Sequence, residues 1–201
     1  WAGTDPETGE QRWYYTDTDG KKAITKNYDE AERKIVGCAL PKVNGGFSTV
    51  ISFEGLELSC LFTYGLGHKV LDYTGRVATK NDGKRDYRTM ERDQLDRWTP
   101  DNPGGKNPLR INTKWDRWLS TRYLYKGDYL KFKNLKLQYT FPTHVVSKIR
   151  LGGVKIFAQA ENLIAFTALK GYDPEMTLNG YRNPDDYPSA TTYTAGLQIN
   201  F

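Results

Sequence analysis

Three groups of residues in this 201-residue chain have the types and spacing for chemistry. Asp173 with Glu175, and Asp185 with Asp186, are close enough in sequence to form a carboxylate pair, and glycoside hydrolysis needs two carboxyl groups about 5 to 10 Å apart. Both pairs sit in Gly- and Pro-rich stretches, where acidic side chains are ordinarily solvated, so no catalysis is expected from them. Asp17-Thr18-Asp19-Gly20 opens like a calcium loop, with acids at its first and third positions. Lys21 and Lys22 then stand where a ligand and the turn glycine belong, and Tyr28 stands where a carboxylate closes such a loop. No metal or cofactor is expected. Trp115-Asp116-Arg117-Trp118 gathers two indoles and a guanidinium, which suits stacking on a sugar or a partner and equally suits packing within a loop. His68 and His144 fall in separate segments, near opposite ends of the architecture argued below. Cys38 and Cys60 have no metal-ligand spacing, and a disulfide and two thiols both remain open. With no nucleophile, base and orienting group converging, the chain is not expected to be an enzyme.

The elements that carry these residues have to be strands. Net charge is +5, but Lys and Arg are interleaved with acids and form no basic face of the kind that tracks phosphates, so nucleic-acid binding is not expected. Hydrophobic residues make up 38% and mean hydropathy is -0.70, while aromatics reach 13%. Polarity with many rings suits a membrane–water interface or a sugar-contacting β-surface. No run approaches the roughly 18 apolar residues of a spanning helix. Membrane residence would therefore be by strands.

Side chains alternate between faces along a strand. Phe47, Thr49, Ile51 and Phe53 share one face, and after a tight turn at Glu54-Gly55 so do Leu56, Leu58, Cys60, Phe62, Tyr64 and Leu66. Leu135, Leu137, Tyr139 and Phe141 share another, with Leu130 and Phe132 in the opposite phase; a bulge near Lys133-Asn134 reconciles them. Val154, Ile156, Ala158 and Ala160 follow, with Phe157 breaking the polar side. The last strand sets Tyr193, Ala195, Leu197, Ile199 and Phe201 against Thr194, Gly196, Gln198 and Asn200. Strands are thus expected at about 46–54, 56–67, 129–141, 153–165 and 191–201. Their connections are short at Glu54-Gly55 and 142–153, and long at 1–45, 70–128 and 169–190. A strand over 11–16 lies in the first of these, and a thin helical stripe of Tyr87, Glu91, Gln94 and Trp98 over 84–98 in the second. Long strands with short turns at one end and long loops at the other are the pattern of an outer-membrane barrel. Five strands cannot close one, and open edges are not tolerated in lipid, so upstream strands are expected; the start at Trp1-Ala2-Gly3 reads as a cut through a loop. The rival architecture is a soluble β-sandwich carbohydrate-binding module.

Gly3-Thr4-Asp5-Pro6-Glu7-Thr8-Gly9, residues 37–41 followed by Gly45-Gly46-Phe47, Arg97-Trp98-Thr99-Pro100, Asp128-Tyr129-Leu130-Lys131-Phe132-Lys133-Asn134-Leu135, Glu161-Asn162-Leu163, Gly171-Tyr172-Asp173-Pro174-Glu175 and residues 193–201 occur in the order seen in one family. Over essentially its whole length the chain resembles the C-terminal end of the SusC/RagA-type TonB-linked outer-membrane transporters of the Bacteroidetes. The acidic turn after Tyr15 departs from that family's more calcium-like loop. The resemblance implies an all-β fold, a transmembrane antiparallel barrel of 22 strands of which residues 1–201 supply about the last five. It implies import of glycans or peptides across the cell outer membrane, energised through TonB and lidded by a SusD-like surface lipoprotein. The plug domain and the TonB box belong to the N-terminal part of such proteins and are absent from this chain. On this reading, Trp98, Trp115, Arg117, Trp118, Tyr172 and Tyr181 are the expected substrate or lid contacts. Tyr193, Leu197, Ile199 and Phe201 form the expected barrel-assembly signal.

Overall fold

The structure, a computed structural model, describes residues 1–72, 92–110, 119–169, 171, 173–176, 180–181 and 189–201. The chain divides into two compact units. One is drawn from Trp1–Cys38, Val70–Tyr125 and Gly180–Asp186, the other from Ala39–Lys69, Lys126–Asn179 and Tyr187–Phe201.

In the first unit, strands β1 (Gly3–Thr4), β2 (Gln11–Thr16) and β3 (Lys22–Thr25) form an antiparallel sheet in that order. The stretch expected as one long loop therefore has a sheet of its own. Its reason is local: Trp13 on β2 is buried at 2% exposure, with Trp1 and Tyr28 set edge-on to its ring. The turn between β2 and β3 is closed by the Asp17 carboxylate, which accepts the backbone N–H groups of Asp19 and Lys21 at 3.0 and 2.8 Å. The acid that looked like a calcium ligand is a turn cap.

The helix expected over 84–98 is reduced, within the described residues, to one 3-10 turn at Arg92–Leu95. Asp96 N–H bonds to Asp93 in the tighter i−3 pattern, and the next amides leave the helix: Trp98 N–H goes to the carbonyl of Asn107 at 2.7 Å. Asn107, itself buried, also donates its side-chain N–H to Asp93 O and accepts from Arg122. This side chain ties off the 92–110 segment. Residues 84–91 lie outside the described residues.

In the second unit, β4 (Val43–Phe53), β5 (Leu56–Leu66), β8 (Tyr129–Thr140), β9 (Gly153–Thr167) and β10 (Thr192–Asn200) form one antiparallel sheet in the order β10-β9-β8-β5-β4. The short strands β6 (Lys69–Leu71) and β7 (Leu124–Lys126), most of whose residues belong to the first unit, pair with each other. Glu54 and Gly55, both at positive φ, make the two-residue turn between β4 and β5. That backbone twist matches the strands it joins. The β8–β9 connection carries a one-turn helix, α1 (Thr143–Val146), and a 3-10 turn (Ser147–Ile149) rather than plain loop. Eleven residues at about 3.4 Å each, tilted near 45°, rise about 26 Å, close to the roughly 25 Å apolar band of a membrane barrel. Among the described residues no helix is long and apolar enough to cross a membrane.

Candidate functional site

The register of the sheet sorts its side chains into two continuous surfaces. Phe47 pairs with Phe62, Phe62 with Phe132 and Phe132 with Ile164; Ile51 pairs with Leu58, Leu58 with Leu137, Leu137 with Ala158 and Ala158 with Ala195. The three phenylalanine rings stack at centroid distances of 4.9 and 4.5 Å. All these side chains lie on one face, which is apolar on every strand. It is not covered: Ile51 is 61% exposed, Leu197 60% and Tyr193 76%. A β-sandwich would pack a second sheet against this face, so the structure does not have that architecture. Cys60 lies here, and neither it nor the exposed Cys38 forms a disulfide.

The opposite face is polar: Ser48, Ser52, Glu57, Ser59, Thr63, Asn134, Lys136, Gln138, Gln159, Glu161, Thr194 and Gln198 follow one another through the same pairings. Lys133 is the extra residue of a bulge, since Phe132 pairs with Phe62 while Asn134 pairs with Leu61. The bulge restores the apolar phase of Leu135 and beyond, and puts Lys131, Lys133 and Asn134 together on the polar side. Val50, Leu61 and Phe157 are large apolar residues on this face, and Phe157 has a physical reason. Gly196 opposite it leaves the space its ring fills, a Cβ there coming within 2.4 Å, and the Lys136 ammonium sits 5.3 Å from the ring centroid. A bare glycine and a cation shelter the ring from water.

Onto this face residues 173–176 are held by ion pairs. Lys131 Nζ, 4% exposed, donates to Asp173 Oδ2 at 2.6 Å and to Glu175 Oε2 at 3.2 Å, and Lys133 donates to the same Glu175 oxygen. Thr63 Oγ1 reaches the other Glu175 oxygen at 2.6 Å, and Glu175 N–H donates to Asp173 Oδ1. Burial works against both carboxylates' charge. It is outweighed for Asp173 by hydrogen bonds from Lys131 and Ser189, and for Glu175 by those from Lys133, Thr63 and Lys131, so both pKa values end below the ordinary range. Held ionised and saturated with donors, neither acid is free to shuttle protons. Sequence reasoning read them as solvated; the available signal was the matching two-residue spacing of Lys131 and Lys133 with Asp173 and Glu175. His68 is buried against Gly127 and edge-on to Tyr129 at the β8 start, while His144 lies in α1 beyond the β8 end. The two imidazoles are a strand length apart.

In the first unit, Trp98 is 8% exposed and donates its indole N–H to Pro6 O at 2.9 Å. Gly9, at φ 72°, lies flat on its ring, where a Cβ would come within 2.4 Å. Asp5 caps the turn that presents Gly9: its carboxylate accepts the N–H groups of Glu7 and Thr8 and pairs with Lys26, which lowers its pKa to about 2. Trp98 is thus a packing residue of this joint. Tyr181 is 50% exposed. Trp115, Arg117, Trp118 and Tyr172, like Asp185 and Asp186, lie outside the described residues. A cavity of about 560 Å³ in the same unit, which no sequence signal marked, is lined by Trp1, Trp13, Tyr14 and Tyr28 together with Lys22 and Arg33. Among the described residues no three His, Cys, Asp or Glu side chains cluster as a metal site.

No protein-family model matches the chain. It is similar to TonB-dependent receptor P3 of Formosa agariphila, with 28% identity over 200 residues, covering 93% of this chain and 19% of that protein. TonB-dependent receptor P26 of the same organism is 27% identical over 201 residues, with the same coverage. Among solved structures, the RagAB peptide transporter contains a chain 33% identical that superposes with a TM-score of 0.85, covering 100% of this chain and 22% of that one. The RagAB peptide importer in its open-open state gives 30% identity and a TM-score of 0.84, covering 100% and 21%. The chain spans about a fifth of the length of these relatives, which are receptors and transporters rather than enzymes.

Proposed function

We propose that this chain, a SusC/RagA-type TonB-linked receptor sequence by its relatives, is a C-terminal section of barrel wall and external loops in an outer-membrane importer. The observation that carries the reading is the uncovered apolar face running without a break across five strands, backed by a polar face bearing paired charges. In water that face has no partner; in lipid it has one everywhere. The two edge strands, β4 and β10, present unpaired backbone groups, and in a bilayer these require neighbouring strands of a closed barrel, 22 in the family.

On this reading the turns at Glu54-Gly55 and around α1 face the periplasm, and the long connections 1–45, 70–128 and 169–190 face outward. Import is energised through TonB, with a SusD-like lipoprotein as lid and an oligopeptide or glycan as cargo. The peptide-importing neighbour favours a peptide. Trp115, Arg117, Trp118, Tyr172 and Tyr181 are proposed as lid or cargo contacts, whereas Trp98 acts by holding the Asp5–Gly9 turn beneath it. Tyr193, Leu197, Ile199 and Phe201 are proposed as the signal read during barrel assembly.

The test uses the full-length protein and two neighbouring positions. Leu137→Arg on the apolar face should cost about 2–4 kcal/mol of folding in the membrane, while Gln138→Arg on the polar face should leave insertion intact. In the same assay Phe201→Asp should lower the amount in the outer-membrane fraction more than Asn200→Asp. Equal insertion of Leu137→Arg and Gln138→Arg, or recovery of the protein outside that fraction, rejects the barrel-wall reading. Uptake of labelled oligopeptides against oligosaccharides, with and without an energised inner membrane, separates the two cargoes.

A further inference from the structure

We infer that residues 173–176 form a strap fastened to the inner wall of the barrel by an ionic latch, Lys131 and Lys133 on β8 against Asp173 and Glu175, so that this part of the 169–190 connection narrows the passage instead of standing outside it. The words inner wall and passage rest on the importer reading; the latch itself does not.

Three features make the latch a built one. The lysines are two residues apart on a strand, and the bulge brings Lys133 to the same face and level as Lys131; the acids have the matching spacing, with Pro174 between them. The central pair is removed from water, at 4% side-chain exposure on each partner, and Asp173 takes Ser189 as a further donor. Buried charges persist only when paired and hydrogen-bonded, and taking away one partner strands the other. The strap is also held from a second strand, by Thr63 of β5 on Glu175. Charges satisfied in this way leave the strap no reason to leave the sheet, and they cancel two cations that would otherwise face the passage.

Pro174, between the two acids of the latch, is buried, so a cysteine there reports its opening. In full-length protein carrying Cys38→Ser and Cys60→Ser, Pro174→Cys should react slowly with a membrane-impermeant maleimide. Adding Lys131→Met should raise the rate by at least about tenfold, because an unpaired buried carboxylate drives the strap into water. The more exposed pair supplies a check that does not risk the fold: Lys133→Glu and Glu175→Lys should each raise the rate, and the two together should restore the slow rate. Heat-modifiable migration of each variant establishes that the barrel is formed. If Lys131→Met does not fold, the exchange pair decides alone. Equal rates in all folded variants, or no restoration by the exchange, overturns the latch. Labelling in detergent reads the latch even if the protein proves not to be an importer, so the two readings fail separately.

Discussion

The two compact units put their aromatic rings in opposite places. In the first, Trp13, Trp98 and Tyr123 are 2%, 8% and 4% exposed. In the sheet, Phe47, Phe53 and Tyr193 are 52%, 70% and 76% exposed, while Lys131 is 3% exposed. The first unit buries Trp13, Trp98 and Tyr123 as water dictates, although Tyr14 and Tyr181 stay half exposed and Asp72 is buried. The second is inverted, which is stable only where the surroundings are apolar. On the importer reading one chain therefore serves two solvents, and a given type of substitution has opposite meanings in its two halves.

The largest test of that contrast is deletion of Lys133. Without the extra residue, half of β8 changes face: either Leu135, Leu137 and Tyr139 turn to the polar side or Leu130 and Phe132 do. Membrane insertion should be lost, seen as absence of the heat-modifiable form, whereas an isolated water-facing sheet would tolerate the slip by moving its neighbours. Normal insertion would show that the apolar face does not set the register.

Trp98→Ala should come next, costing about 3–5 kcal/mol in the first unit because a buried indole is replaced by a cavity over Gly9. Protease should then cut within 92–110 while the barrel still inserts. Loss of insertion equal to that of the Lys133 deletion would mean that the units are not separable.

The smallest effect is with acid. Asp173 and Glu175 have folded pKa values below their unfolded ones, so the stability they contribute is complete above the unfolded value of about 4 and disappears as pH falls through the folded values. The Pro174→Cys reporter, its rate divided by that of an exposed reference cysteine at the same pH to remove the loss of thiolate, should stay slow from pH 8 to 5 and quicken only below that range. Quickening between pH 7 and 5 would contradict the depressed values.

What the sequence disclosed follows from range. Alternation is a property of adjacent residues, so the hairpin at Glu54-Gly55 and the final strand were readable, and the phase change between Phe132 and Leu135 located the bulge. Phe157 was not readable, since its explanation lies on other strands, in Gly196 and Lys136. The ion cluster joins positions 42 residues apart, and only a matching spacing hinted at it. Trp98 looked like a surface ring because nothing near it in the chain announces Gly9.

Lys133 also separates two properties that a regular strand would couple. It adds a cation to the wall at one height without altering any apolar residue above or below. Moving the bulge by two residues along β8 would shift the strap's anchor by about 7 Å and, once the residue passed over is exchanged for an apolar one, keep the apolar face continuous. On the importer reading, the width of the passage and the fit to the bilayer can therefore vary separately when the bulge is moved, whereas its outright loss, which turns half of β8 over, changes both.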